Sequence, residues 1–215
     1  MANKISLGTN SPEIEYLRKK DKRLAKVISM VGDLTYSIQT DYYCFFVHEI
    51  IEQMLSIKAA NCIFSRLENL CGGTVTPEAI SLLTDDQIRA TGTSSAKVEY
   101  IRSLTTAVIS GILVFDNLIN QTDEEIIHEL ASFRGIGTWT AKMFLIFGLN
   151  RPDVLPYEDA AFLQSYKWMY KTSDCSKESI LKRCKKWKPY SSIAARYLYR
   201  ALDYGLTKDE FHLFK

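Results

Sequence analysis

An all-helical fold with short connections is predicted by three observations. Apolar residues recur at helical spacing through most of the chain, few stretches alternate with the two-residue period of a strand, and helix starts and stops punctuate the sequence as Thr, Gly and Pro. At 215 residues and 47% hydrophobic composition the chain can bury a sizeable core, in one or two closely packed subdomains. No internal repeat or low-complexity linker interrupts it.

Residues 1–34 read as a helical lead-in that packs on the core, charged from Pro12 to Lys26 and followed by a looser stretch, GDLTYSIQTD. In YYCFFVHEIIEQMLSIKAANCIFSRLENL apolar residues dominate the first half, so one helix is expected to run through the core and emerge near Gln53. Cys71-Gly72-Gly73 breaks it. Thr76 before Pro77 and Thr84 before Asp85 start two short helices. SSAKVEYIRSLTTAVISGIL is a further amphipathic helix with Val98, Ile101, Leu104, Val108 and Ile109 on one side, and Lys97 near its start is expected at phosphate or in solvent.

Residues 122–159, TDEEIIHELASFRGIGTWTAKMFLIFGLNRPDVLPYED, read as two helices joined by a tight hairpin and followed by a loop ending in acids. Thr122 and Glu125 have capping-box spacing, so the first helix begins near Asp123. Gly135 permits the turn, Thr138 is expected to cap the second helix, and Gly148 to stop it. Bare backbone at Gly135, Ile136, Gly137 and Thr138, just before a helix N-terminus, presents amide donors to an anion. An ordinary helix–helix turn can share this Gly-x-Gly pattern. Beyond it, Pro189 must end one helix or start the next.

Formal net charge is only +2, but its distribution is uneven. Residues 167–200 hold ten Lys or Arg against Asp174 and Glu178, and residues 18–26 hold six against Asp21. Either segment can contact phosphate or form a solvated face. Five cysteines without a Cys-x-x-Cys pair speak against a zinc knuckle and a disulfide framework. His48, His128 and His212 are scattered with no metal-ligand spacing, and each reads as structural or exposed. The start lacks a signal-peptide core and no stretch is apolar for about twenty residues, so an intracellular protein with no membrane association is expected.

The string FRGIGTWTA, followed about twenty residues later by RPDVLPYEDAAF, resembles the helix-hairpin-helix (HhH-GPD) DNA glycosylases, in particular the 3-methyladenine DNA glycosylase II type, since Trp139-Thr140-Ala141 follows the hairpin. EIIEQMLSIKAANCIFSRL and WKPYSSIAARYLY are similar to two further segments of that family. The resemblance covers residues 35–204, with the hairpin at 122–148 and 205–215 left as a C-terminal tail; Arg134 stands where the family usually has Pro.

The resemblance implies an all-α fold of two closely packed helical subdomains with the active-site cleft between them. It implies a monomeric base-excision-repair enzyme whose partner is double-stranded DNA containing a damaged base, acting in the cytoplasm of a bacterium or archaeon or the nucleus of a eukaryote. Asp159 falls on the catalytic acid, with Glu158 as its neighbouring rival. Trp139 and Tyr199 fall on base-pocket aromatics, and Met143 stands where one pattern has Tyr. Met54 falls on the wedge that fills the gap left by the flipped nucleotide, with Gln53 beside it at the opposite side of that gap. The hairpin carbonyls of Phe133 and Ile136 can hold an alkali cation, while no catalytic metal and no cofactor is expected; only Cys175 and Cys184 lie in the half where some members ligate an iron–sulfur cluster.

Chemically, a glycosidic bond inside a stacked duplex must first be rotated out, and its cleavage leaves positive charge on the sugar that a carboxylate stabilises. Bifunctional members carry a Lys nucleophile two residues after the second hairpin glycine; here that position is Trp139, and Lys142 lies roughly 300° around the helix, so a monofunctional hydrolase is expected. An electron-rich aromatic pocket suits cationic alkylated purines such as 3-methyladenine and 7-methylguanine. An oxidised-purine or mismatch glycosylase, and a non-catalytic helix-hairpin-helix DNA-binding protein, are the alternatives.

Overall fold

Capping residues set most helix starts. In a computed structural model that describes residues 3–214, thirteen α-helices are found among the described residues. Contacts divide the chain into two units, one holding Gln39–Phe144, the other holding everything before and after that segment. This division differs from a single 35–204 domain with a separate lead-in and tail.

The central unit begins with α3 (Tyr42–Glu52), capped by Asp41. A turn at residues 53–56 separates it from α4 (Ile57–Leu70), whose cap is Ser56 accepting from the Ala59 amide at 3.3 Å. The single long helix read over this region is therefore two, because capping contacts close one helix and open the next. Then come α5 (Pro77–Leu82), capped by Thr76, and α6 (Asp85–Ala90), which opens with a capping box of Thr84 and Gln87. The long α7 (Ser95–Ile109), the short α8 (Phe115–Leu118), α9 (Asp123–Ala131) and α10 (Thr138–Met143) complete the unit. Phe46, Ile50, Leu67, Ile80, Ile101, Leu104, Ile126 and Leu130 are buried within it.

The other unit joins the N-terminal segment to the C-terminal third. It comprises α1 (Pro12–Lys20), α2 (Lys22–Val31), α11 (Ala160–Tyr170), α12 (Lys177–Cys184) and α13 (Ser191–Asp203). Its core gathers Leu17, Leu24, Ile28, Phe162, Tyr166, Met169, Trp187, Tyr197 and Leu198. Phe211 joins that core and the Trp168 indole donates to the Asp209 carbonyl at 2.8 Å, so residues beyond 204 pack rather than trail.

The all-α class holds, with one addition. β1 (Asn3–Leu7) and β2 (Leu34–Ile38) pair antiparallel, Leu7 opposite Leu34 and Asn3 opposite Ile38. The second strand lies in the stretch read as loose; five residues are too few for a strand period to stand out, and the partner that completes the ladder precedes two helices.

Candidate functional site

The hairpin is set by one glycine and braced by a neighbouring helix. Thr122 and Glu125 form the expected capping box of α9. Gly135 has φ +89°, and a Cβ added there would lie 2.4–2.6 Å from the Tyr100 side chain, so both backbone conformation and space require glycine. Arg134, in place of the family's Pro, reaches Glu99 at 3.1 Å and covers the Tyr100 ring at 5.7 Å, tying the hairpin to α7 by side-chain contacts. Ile136 is buried and its amide donates to the Phe133 carbonyl at 3.1 Å.

Gly137 is different. Its φ of −98° suits any residue, and an added Cβ would meet nothing within 4 Å. Gly137, not Thr138, is the N-cap, and no side chain caps α10; Thr138 is instead the first helical residue, because the glycine's extended backbone already turns its carbonyl to the Ala141 amide at 3.0 Å. The first amides of α10 therefore have no intrahelical acceptor, and the surface before them is bare. Trp139 is half-buried and Met143 buried. The helix continues as a π turn, Phe144–Gly148, and stops at Gly148 as expected.

Met54, on the turn after α3, is fully exposed with φ +60°. A large apolar side chain held in the left-handed region and denied burial is costly on both counts. The turn is fixed from two sides. Lys97, expected at phosphate or in solvent, instead donates to the carbonyls of Ile51 at 2.8 Å and Gln53 at 2.7 Å, closing the C-terminus of α3, and this burial pulls its pKa down. The Gln53 amide donates to the Gly135 carbonyl at 2.8 Å, joining the turn that carries Met54 to the hairpin. Gln53 thus faces the protein in this structure, where the resemblance had set it against the opposite strand.

The two candidate acids separate by burial. Asp159 is 8% exposed and Glu158 is exposed. The Asp159 carboxylate caps α11, accepting the Phe162 amide at 2.7 Å, while its own amide donates to the Pro156 carbonyl at 3.0 Å. The loop before it is riveted to the start of α13: the Ser192 hydroxyl accepts from the Val154 amide at 2.9 Å, the Ser192 amide donates to the Pro152 carbonyl at 3.0 Å, and the Ser191 hydroxyl donates to Asp153. These serines, inside the WKPYSSIAARYLY match, position the acid; the sequence reading used that segment only for its aromatic.

Tyr199 on α13 is half-buried, its ring 5.9 Å from that of Phe147. Beside it Arg196, buried, lies over the rings of Tyr36 at 3.7 Å and Phe147 at 4.9 Å and donates to the Ile146 carbonyl, inside the π turn, at 2.6 Å. Burial lowers its pKa to about 10. The two basic segments also meet, with Lys20, Lys22, Arg23, Arg183 and Lys186 around Asp21 in an open pocket. Asp159 and Tyr199 belong to one unit, whereas Trp139, Met143, Met54 and the hairpin belong to the other.

The chain is similar to several known proteins. DNA-3-methyladenine glycosylase 1 of Schizosaccharomyces pombe is 32% identical over 183 residues, covering 83% of this chain and 80% of that protein. Among solved structures, a DNA-3-methyladenine glycosidase from Bacillus halodurans superposes with a TM-score of 0.86 at 34% identity, covering 97% of both chains. The Schizosaccharomyces pombe 3-methyladenine DNA glycosylase Mag1, solved in complex with abasic DNA, gives 0.83 at 29% identity, covering 90% of this chain and 97% of that one. Residues 47–189, which take in Met54, the hairpin and the loop before Asp159, match the description HhH-GPD superfamily base excision DNA repair protein, and the chain belongs to that superfamily.

Proposed function

We propose that the protein is a monofunctional DNA glycosylase that flips a damaged, alkylated purine of the 3-methyladenine or 7-methylguanine class out of duplex DNA and hydrolyses its N-glycosidic bond. The observation that carries this reading is Asp159: a loop-borne acid, nearly buried, with one oxygen held by the Phe162 amide. A binding hairpin alone needs no such residue. The names of the relatives, and the abasic DNA bound to Mag1, support the substrate class.

In this reading Asp159 stabilises the oxocarbenium-like charge as the base departs, or orients the attacking water. Trp139, Met143 and Tyr199 are each assigned to contact with the base, and aromatic faces such as those of Trp139 and Tyr199 suit a cationic purine. Met54 enters the gap in the stack, a job for a flexible apolar side chain that demands no hydrogen bonds. The amides from Gly135 to Thr138 take phosphate, and the carbonyls of Phe133 and Ile136 would hold an alkali cation there. The protein acts as a monomer, inside the cell, on DNA.

The test is base release from a panel of alkylated, deaminated and oxidised duplexes. Alkylated purines should be released fastest, leaving an abasic site in an unbroken strand, and borohydride should trap no covalent adduct because Trp139 occupies the lyase position. Preferential release of an oxidised base would overturn the substrate class, and a trapped adduct would overturn the monofunctional assignment.

A further inference from the structure

Histidine spacing alone gave no metal site, but the face of α3 just before the wedge turn brings a histidine together with two glutamates. The sequence there is His48-Glu49-Ile50-Ile51-Glu52. His48 and Glu52, four apart, project only about 40° from each other around the helix. The neighbouring Glu49 reaches the same space, and one ligand atom from each of the three lies within 4.8 Å of the others. All three residues are partly buried.

Two distances define the chemistry. His48 Nε2 lies 3.0 Å from Asn61 Oδ1 on α4, so Nε2 carries the proton and the amide oxygen accepts it. The Nδ1 lone pair of a neutral ring then points toward Glu52 Oε2 at 3.5 Å. Two acceptors facing each other need a positive charge between or on them. At 3.5 Å the contact is long for a hydrogen bond, whose N···O distance runs about 2.7–3.2 Å. It does match two ligands of one tetrahedral ion, since zinc bonds of about 2.0–2.2 Å place ligand atoms roughly 3.4 Å apart. Asn61 supplies the outer hydrogen bond that metal-bound histidines usually have, fixing tautomer and ring orientation.

We propose that His48, Glu49 and Glu52 bind a divalent transition metal of the zinc class, with Asn61 as the positioning residue. One imidazole nitrogen and two carboxylates suit zinc better than magnesium, which prefers six oxygens in an octahedron. The site lies at the C-terminal turn of α3, where the helix dipole favours a cation. Glu52 immediately precedes Gln53 and Met54, so the ion stiffens the base of the turn that Lys97 and Gly135 also hold.

The experiment uses the full chain without a histidine tag, stripped by a chelator and titrated with Zn2+ by calorimetry, with Co2+ as a spectroscopic probe. One equivalent of zinc should bind, raise the melting temperature and give a tetrahedral Co2+ spectrum without a thiolate charge-transfer band. Glu52→Gln and His48→Gln should each weaken binding at least tenfold and abolish the thermal shift, Asn61→Ala should weaken it roughly tenfold, and Mg2+ should give no shift. Cys44→Ser and Cys62→Ser should leave binding unchanged. Circular dichroism of the apo variants identifies any that fail to fold, and the isosteric Glu52→Gln then decides. Absence of zinc binding tighter than about 100 μM in the wild type, or binding that survives both His48→Gln and Glu52→Gln, overturns the site and leaves an imidazolium–carboxylate pair.

Discussion

The side-chain amide of Gln53 donates to the carbonyl of Gly135 at 2.8 Å, joining two residues 82 apart in the chain. Through this bond the turn that carries Met54 and the hairpin that presents its amides are held as one surface. Gln53→Ala leaves a half-buried carbonyl without its partner and should cost about 1–2 kcal/mol of stability. Urea unfolding measures this; a loss under about 0.3 kcal/mol would show that the bond holds nothing.

The two hairpin glycines should respond in opposite ways. Gly135→Ala meets Tyr100 and a positive φ, and should destabilise the protein by about 2 kcal/mol or more. Gly137→Ala meets nothing within 4 Å and should change stability by less than about 1 kcal/mol, yet weaken duplex binding about tenfold by blocking phosphate approach. Thermal melts and a binding titration over a salt series check both. Equal binding by wild type and Gly137→Ala would remove the hairpin as phosphate anchor.

Asp159→Asn separates chemistry from folding. Asn caps helices as well as Asp does, so the Phe162 amide keeps its acceptor and stability should change little, while removal of charge should slow single-turnover base release by about 10²–10³. Glu158→Gln, at an exposed site, should matter far less. Near-wild-type cleavage by the Asn variant would reassign the acid.

Met54→Ala should act on the flipped state. Losing the wedge should penalise binding of a lesion-bearing duplex more than that of an undamaged one, and leave stability unchanged or slightly raised, since the side chain is fully exposed. Equal effects on the two duplexes would argue against the wedge.

Acid stability should depend on Asp21. Burial by itself raises this carboxyl's pKa, but hydrogen bonds from Tyr170, Trp187 and Lys186, with the Lys186 charge, outweigh it and leave the pKa below the ordinary value of 3.8. A depressed folded-state pKa contributes stability above the unfolded-state value, and that contribution is lost as pH falls through the folded one. Asp21→Asn should therefore lower the urea midpoint at neutral pH and flatten its decline below about pH 4. Parallel acid limbs in the two proteins would contradict this.

Much of the hairpin was legible because its signals are local. A capping box spans four residues and a Gly-x-Gly hairpin three, so Thr122, Gly135 and Gly137 can be read without knowing what packs against them, whereas Asp159 was singled out only through the family resemblance. Helix faces are equally local, since their period follows from backbone geometry. What only the tertiary structure decided are contacts between residues far apart. Lys97 leaves solvent because the end of α3 offers two carbonyls, 44 and 46 residues away, that need a donor. Tyr100 makes Gly135 obligatory, the serines of α13 hold the acid loop 38 residues before them, and β2 is a strand only because β1 completes its ladder. No short-range pattern encodes these, because a hydrogen-bonding group accepts whichever partner packing brings to it, and packing depends on the whole core.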